Sequence, residues 1–293
     1  MANSMKSILE ADELHLLEGL SFKPRRQLAS HLRGERLSRQ KGVSVEFADY
    51  RDYIDGDDLR HLDWNLLARL DRPTIRTYQD EAELPITIGV DVSGSMDFGQ
   101  PSKLRHACTI ASALGFIGLS GHDRVQMLQI GNPNAQPSRP MHGRASVRAL
   151  QGWLDALTCT GRVSLSDHLN AIPSLRPGLF FIISDGLDPK APSNFGAIAA
   201  RGHELVLIQV LSPSELDPDL EGDLRLVDSE SASAVELTAN IQTIEEYKEN
   251  LNRHCRALQE SVVKHGGRFL TSVVGQTLDD FVNTGLRRSG LVQ

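Results

Sequence analysis

Pro85-Ile86-Thr87-Ile88-Gly89-Val90-Asp91-Val92-Ser93-Gly94-Ser95-Met96 is the stretch on which the fold turns. Its first six residues are apolar or β-branched except for Gly89, and read as a strand buried on both faces. The strand ends in Asp91, and a loop with hydroxyls at alternate positions follows. Outward from it, residues 102–119 read as a helix with Ala107, Ala111, Leu114 and Gly118 on one face, mostly small enough for close packing on a sheet. A strand is expected over 124–130, helices over 145–157 and 164–172, and a strand over 179–184. A helix over 194–201 and a strand over 204–211 continue the alternation. Strands rich in Ile, Val and Leu with helices between them imply an α/β fold, its mostly parallel sheet covered by helices on both faces.

Residues 212–240 break that rhythm. Leu224–Val227 and Ala234–Leu237 resemble the arms of an antiparallel hairpin. Ile241, Ile244, Tyr247, Leu251, Cys255, Leu258 and Val262 then step by three or four residues along one helical stripe, which reads as core. Gly266-Gly267 stops that helix, a strand is expected over 268–274, and a final helix over 277–288. Residues 1–82 differ in texture and read as an N-terminal extension to a core spanning 83–293. Between Lys23 and Lys41 there are seven basic residues and one acid; between Ser44 and Asp63, seven acids and two arginines. Blocks of opposite sign that close together neutralise each other, so Asp49, Asp57, Asp58 and Asp63 are expected to pair with Arg51, Arg60 and Arg69. Asp58 is expected to cap a helix over 59–68, and Trp64, among Leu62, Leu66 and Leu67, is expected to anchor a core.

Composition narrows the function. The chain has 293 residues with a formal charge of −7, which disfavours a nucleic-acid binder. Its three cysteines form no short pair, so a disulfide-stapled secreted scaffold is excluded. No window reaches the ~18 uncharged apolar residues of a membrane span, and the first residues lack a signal-peptide core, so a cytoplasmic location is expected. No G-x-S-x-G elbow, P-loop, dinucleotide fingerprint or H-E-x-x-H helix occurs. Cys159 has no neighbouring histidine in sequence to activate it.

In open α/β sheets, ligands bind beyond the carboxyl ends of the strands, at a topological switch point. Two strands end there in acids and hydroxyls, Asp91-Val92-Ser93-Gly94-Ser95 and Ser184-Asp185-Gly186. A carboxylate with hydroxyls and waters suits Mg²⁺, a hard ion that takes oxygen ligands at about 2.0–2.1 Å. The same residues would also serve as an ordinary helix cap. That Asp185 occupies a second strand end favours one shared site over unrelated caps.

The Asp-x-Ser-x-Ser spacing of Asp91, Ser93 and Ser95 resembles the metal-ion-dependent adhesion site of von Willebrand factor A domains, with Asp185 matching that family's later aspartate. The resemblance runs from about Pro85 to Leu286. It implies a Rossmann-like core and a metal site of Asp91, Ser93, Ser95 and Asp185, with Mn²⁺ or Ca²⁺ as alternatives to Mg²⁺. The family's second loop carries a threonine ligand; here Thr160-Gly161-Arg162-Val163-Ser164 puts Val163 in its place. The extension sharpens the match. Glu46-Phe47 with Tyr50-Arg51, Gly56-Asp57-Asp58 with Arg60, Asp63-Trp64 and Ala68-Arg69 occur in order. They resemble the signature of the bacterial domain-of-unknown-function 58 family, which precedes a von Willebrand A-like core.

These resemblances imply a non-enzymatic module that binds a protein partner through a metal. The implied partner is a MoxR-type AAA+ ATPase, in complex assembly or maturation. The alternatives are a metal-dependent phosphohydrolase and a metal-free scaffold whose site has decayed at Val163. An aspartyl phosphatase of the haloacid dehalogenase type is disfavoured, because Ser93 stands where its second acid belongs.

Overall fold

The computed structural model describes residues 8–25, 46–54, 59–79, 83–132, 134, 136–159, 165–171, 175–220, 222–227 and 234–293. In chain order the elements are α1 (Ala11–Leu17), β1 (Glu46–Asp52), α2 (Trp64–Leu70), β2 (Thr74–Gln79), β3 (Pro85–Asp91), α3 (Lys103–Ser120) and β4 (Arg124–Ile130). Next come α4 (Val147–Asp155), α5 (Leu165–Ala171), β5 (Leu179–Ser184), α6 (Ala191–Ala200), β6 (Glu204–Leu211) and the single turn α7 (Pro213–Leu216). The hairpin β7 (Gly222–Val227) and β8 (Ala234–Ala239), the long helix α8 (Ile241–Lys264) and β9 (Arg268–Val273) follow. The closing helix α9 (Leu278–Asp280) continues in wider π-type turns over Phe281–Arg287.

Five strands form one parallel sheet in the order β4-β3-β5-β6-β9. The chain runs outward from β3 to β4 and then crosses back to β5 on the other side, which creates the switch point between β3 and β5. Their register pairs Val90 with Ile183, so Asp91 and Ser184 leave the sheet side by side. Alternation along each strand feeds two cores. Phe181, Ile183, Ile208 and Val210 pack on one face with α1, α3, α4 and the closing helix. Phe180, Ile182, Leu205 and Leu207 pack on the other with α5, α6 and α8. This is the α/β, Rossmann-like architecture implied by the von Willebrand A resemblance. Strand spacing leaves little room at Gly178, where a Cβ would lie 1.9 Å from the Pro85 carbonyl oxygen.

The chain divides into two compact units, Met1–Ala29 with Leu84–Gln293, and Ser30–Glu83. In the first, the early segment packs with the α/β core although the sequence places it in the extension. Leu9, Leu17, Leu20 and Phe22 are buried there, and Phe22 pairs as a short antiparallel bridge with Val292. Ser21 and Gln293 exchange backbone hydrogen bonds at 3.2 and 3.0 Å. The amino end of the sheet is locked by a buried ion pair, Arg268 with Glu204. Arg268 also donates to the Lys23 carbonyl at 2.9 Å, and the Arg25 amide donates to Glu204 at 2.8 Å.

The second unit pairs β1 and β2 antiparallel beside α2. Its helix starts later than expected. Asp63 is the cap, its Oδ1 accepting from the Asn65 and Leu66 amides at 3.0 and 3.2 Å, and its other oxygen accepts from Tyr50 at 3.3 Å. Residues 59–61 form only a tight turn, and Asp58 lies outside the described residues. Trp64 is 61% exposed, not a core anchor: it opens a two-turn helix with no fully buried residue of its own. Among the described residues of this unit, Leu62 and Ile75, bridged to each other, are buried apolar side chains.

The α8 stripe is also only partly core. Leu251, Leu258 and Val262 are buried, but Ile241 is 79% exposed and Tyr247 40%. The helix is 24 residues long, and its first turn follows directly on the β7–β8 hairpin. There an open groove of about 590 Å³ lies among Pro218, Leu220, Asn240, Ile241 and Ile244.

Candidate functional site

Asp91, the last residue of β3, is buried. Its Oδ1 accepts the Ser93 amide at 2.9 Å, and its Oδ2 accepts the Ser184 hydroxyl at 2.5 Å. Ser184 in turn accepts the Gly186 amide at 2.9 Å, so one hydroxyl ties both strand ends together. Beyond Asp91 the chain enters a tight turn over Gly94–Asp97, and the Ser93 and Ser95 hydroxyls meet at 3.1 Å. The predicted Asp91, Ser93 and Ser95 are therefore one cluster at the carboxyl end of the sheet.

Asp185 stands in the adjacent loop and is buried as well. Its Oδ1 accepts the Leu187 amide at 3.2 Å, and its backbone carbonyl accepts the Gln209 side chain at 2.9 Å. Gly186 has φ +65°, a conformation that lets the loop turn back under the site. Its carbonyl accepts from His254 Nε2 of α8 at 2.7 Å. Asp185 does not stand open to a ligand. Its Oδ2 accepts the Lys103 ammonium at 2.8 Å.

Lys103 is the residue that sequence reasoning missed. It is the first residue of α3 after the Ser102 cap, its side chain is fully buried, and its ammonium also reaches Glu215 Oε1 at 2.6 Å. Glu215 belongs to a capping box at α7, where its Oε2 accepts the Ser212 amide at 2.8 Å. One signal was present: a cation in the first turn of a helix opposes the helix dipole and needs a local reason. The Ser212-Pro213-Ser214-Glu215 capping box was legible as well, though its lysine partner was not.

The electrostatics follow from this arrangement. Burial first, and the nearby Asp185 charge second, push the Asp91 carboxyl up to about 6, against the hydrogen bonds from Ser184 and Ser93. Burial pulls the Lys103 ammonium down, but Asp185 and Glu215 outweigh it and hold Lys103 above its ordinary value. Cys159, near Asp91 and Asp97, is pushed up to about 11, chiefly by burial, and is a protonated thiol at neutral pH. Among the described residues no cationic side chain contacts Asp91. Nor do any three His, Cys, Asp or Glu side chains there form a metal-holding group. A cation at this place would rest on the Asp91 carboxylate, which has no counter-charge among the described residues, and on two hydroxyls, a set of oxygen donors that fits a hard divalent ion. The second loop, with Thr160, Val163 and Ser164, lies outside the described residues.

Among the described residues no helix is long and apolar enough to cross a membrane. The family model described as "Protein of unknown function DUF58" matches residues 49–257. Uncharacterized proteins of Mycobacterium bovis and Mycobacterium tuberculosis are each 33% identical to the chain over 226 residues, covering 73% of it and 70% of each relative. The solved structure of the conserved hypothetical protein BatB from Bacteroides thetaiotaomicron is similar over 71% of this chain and 98% of that one. Its TM-score is 0.44 at 14% identity. The SpRpn10 VWA domain is similar over 69% and 95%, with a TM-score of 0.39 at 12% identity.

Proposed function

The chain belongs to the DUF58 family of proteins of unknown function, and on that premise we propose a protein-interaction module whose binding face is the carboxyl end of the β3–β5 strand pair. Binding there depends on a divalent cation, with Mg²⁺ as the first candidate and Mn²⁺ or Ca²⁺ as alternatives. Asp91, Ser93 and Ser95 hold the cation, and Asp185 contributes through water. When bound, the ion supplies a Lewis-acidic position that an acidic side chain of the partner completes.

One observation carries the reading. Asp91 is buried at the switch point, and among the described residues its carboxylate is partnered by neutral hydroxyls and an amide, with no cation. Burying a charge with no counter-charge is costly, and a site that keeps such a charge beside two convergent hydroxyls is suited to a cation. The partner class comes from the family resemblance alone: a MoxR-type AAA+ ATPase, assisted in complex assembly or maturation.

Titration calorimetry with Mg²⁺ and Mn²⁺, on the native chain and on Asp91→Ala, tests the cation. Heat from the native chain that disappears in the variant supports the reading; no heat from either sinks it. Capture of a purified MoxR-type ATPase on the immobilised chain, with and without EDTA, tests the partner. Capture that persists unchanged in EDTA removes the metal from the interaction.

A further inference from the structure

We infer that Lys103 is a tethered cation that takes Asp185 away from direct coordination and thereby sets how strongly the site depends on a divalent ion. The inference rests on Asp91, Ser93 and Ser95 as the cation site and concerns what this chain's own lysine does to it.

Three features of Lys103 are each unfavourable alone. It is a cation at a helix N-terminus, against the helix dipole. Its ammonium is removed from water, which is expensive for a charge. Its long side chain is held in one conformation, at an entropic cost. Among the described residues two carboxylates offset these, Asp185 at 2.8 Å and Glu215 at 2.6 Å, with the Phe98 ring centre 6.0 Å from the ammonium. They come from the loops after β5 and β6, next to each other at the same end of the sheet as Asp91.

The placement divides the acids into two kinds. Asp185 has one oxygen on the Leu187 amide and the other on Lys103, so its charge is already answered. Among the described residues Asp91 has only neutral donors. Among the described residues, three carboxylates against one ammonium leave an excess that a single divalent ion offsets. Without the lysine the excess grows, and Asp185 becomes free to bind an ion directly. Lys103 therefore keeps the loops assembled when no metal is bound, and weakens the hold on a metal when one is present.

The test compares the native chain with Lys103→Met in titrations with Mg²⁺ and Mn²⁺ alone, and in thermal melts with EDTA and with millimolar Mg²⁺. Loss of one unit charge a few ångström away is worth at least about tenfold in affinity at protein-like dielectric. Lys103→Met is expected to bind Mg²⁺ at least about tenfold more tightly, and to melt lower in EDTA but recover with Mg²⁺. Equal affinity, or a loss of melting temperature that Mg²⁺ leaves untouched, makes Lys103 an ordinary buried ion pair and overturns the inference. If Lys103→Met does not fold, Glu215→Gln serves, because glutamine keeps the capping box and leaves the ammonium to Asp185 alone. It is expected to weaken Mg²⁺ binding by at least about threefold, and unchanged affinity overturns the inference. The outcomes separate from the functional reading. Heat from Lys103→Met but none from the native chain upholds the inference and removes the metal from the native protein's function. Equal heat from both does the reverse, and heat from neither removes both.

Discussion

Asp91→Asn is expected to stabilise the metal-free protein at neutral pH. The native carboxyl is pushed from 3.8 up to about 6, mainly by burial, so the folded state holds its proton where the unfolded chain has released it. The native state then binds more protons than the unfolded state, and stability falls as pH rises from about 4 to about 6 before levelling. A shift of about two units corresponds to about 3 kcal/mol. Asparagine removes that penalty but weakens the hydrogen bonds to the Ser93 amide and the Ser184 hydroxyl, a loss of about 1 kcal/mol. The net gain is about 1–2 kcal/mol near pH 7, or about 2–4 °C in Tm. Differential scanning calorimetry in EDTA across this pH range measures it. The gain should be absent below about pH 4 and open fully above about pH 6. A variant that melts lower than the native chain at neutral pH, or a difference constant with pH, would refute an uncompensated buried charge at Asp91.

Three further outcomes follow from the packing. Gly178→Ala places a methyl 1.9 Å from the Pro85 carbonyl oxygen, so β3 and β5 must separate; a loss of more than about 3 kcal/mol in urea unfolding is expected. Glu204→Gln leaves the buried Arg268 guanidinium without its counter-charge and should cost about 3–5 kcal/mol, while Glu204→Leu with Arg268→Met should cost clearly less than Arg268→Met alone. Leu258→Ala in α8 should cost about 2–5 kcal/mol and Ile241→Ala within about 0.5 kcal/mol, because the same helical stripe is buried at one end and exposed at the other.

The parallel sheet was legible because each strand carries its own evidence. Residues 179–184 run almost wholly apolar, 124–130 and 204–211 are rich in Val, Leu and Ile, and the structure has strands over those ranges. Asp91, Ser93 and Ser95 were legible for the same reason, since three residues within five form most of their own contacts. Lys103 with Asp185 and Glu215 was not. Those contacts join residues 82 and 112 positions apart, and only the finished sheet brings them together. Periodicity shows which residues of α8 share a stripe but not which of its turns are covered, so it cannot separate Ile241 and Tyr247 from Leu251, Leu258 and Val262. Trp64 failed through the opposite assumption, that apolar neighbours in sequence supply a core in space. In a two-turn helix capped by Asp63, Leu66 and Leu67 are only half-buried and give the indole no cover.

The exchange of hydrogen bonds between Ser21 and Gln293, beside the Phe22–Val292 bridge, joins the early segment to residues that follow the whole sheet in sequence. The two segments are therefore coupled in stability: local opening of one uncovers apolar surface of the other. Removing Leu291–Gln293 would uncover Phe22 and release the Lys23 amide from the Leu291 carbonyl, loosening the first segment of the chain from the far end of the sequence.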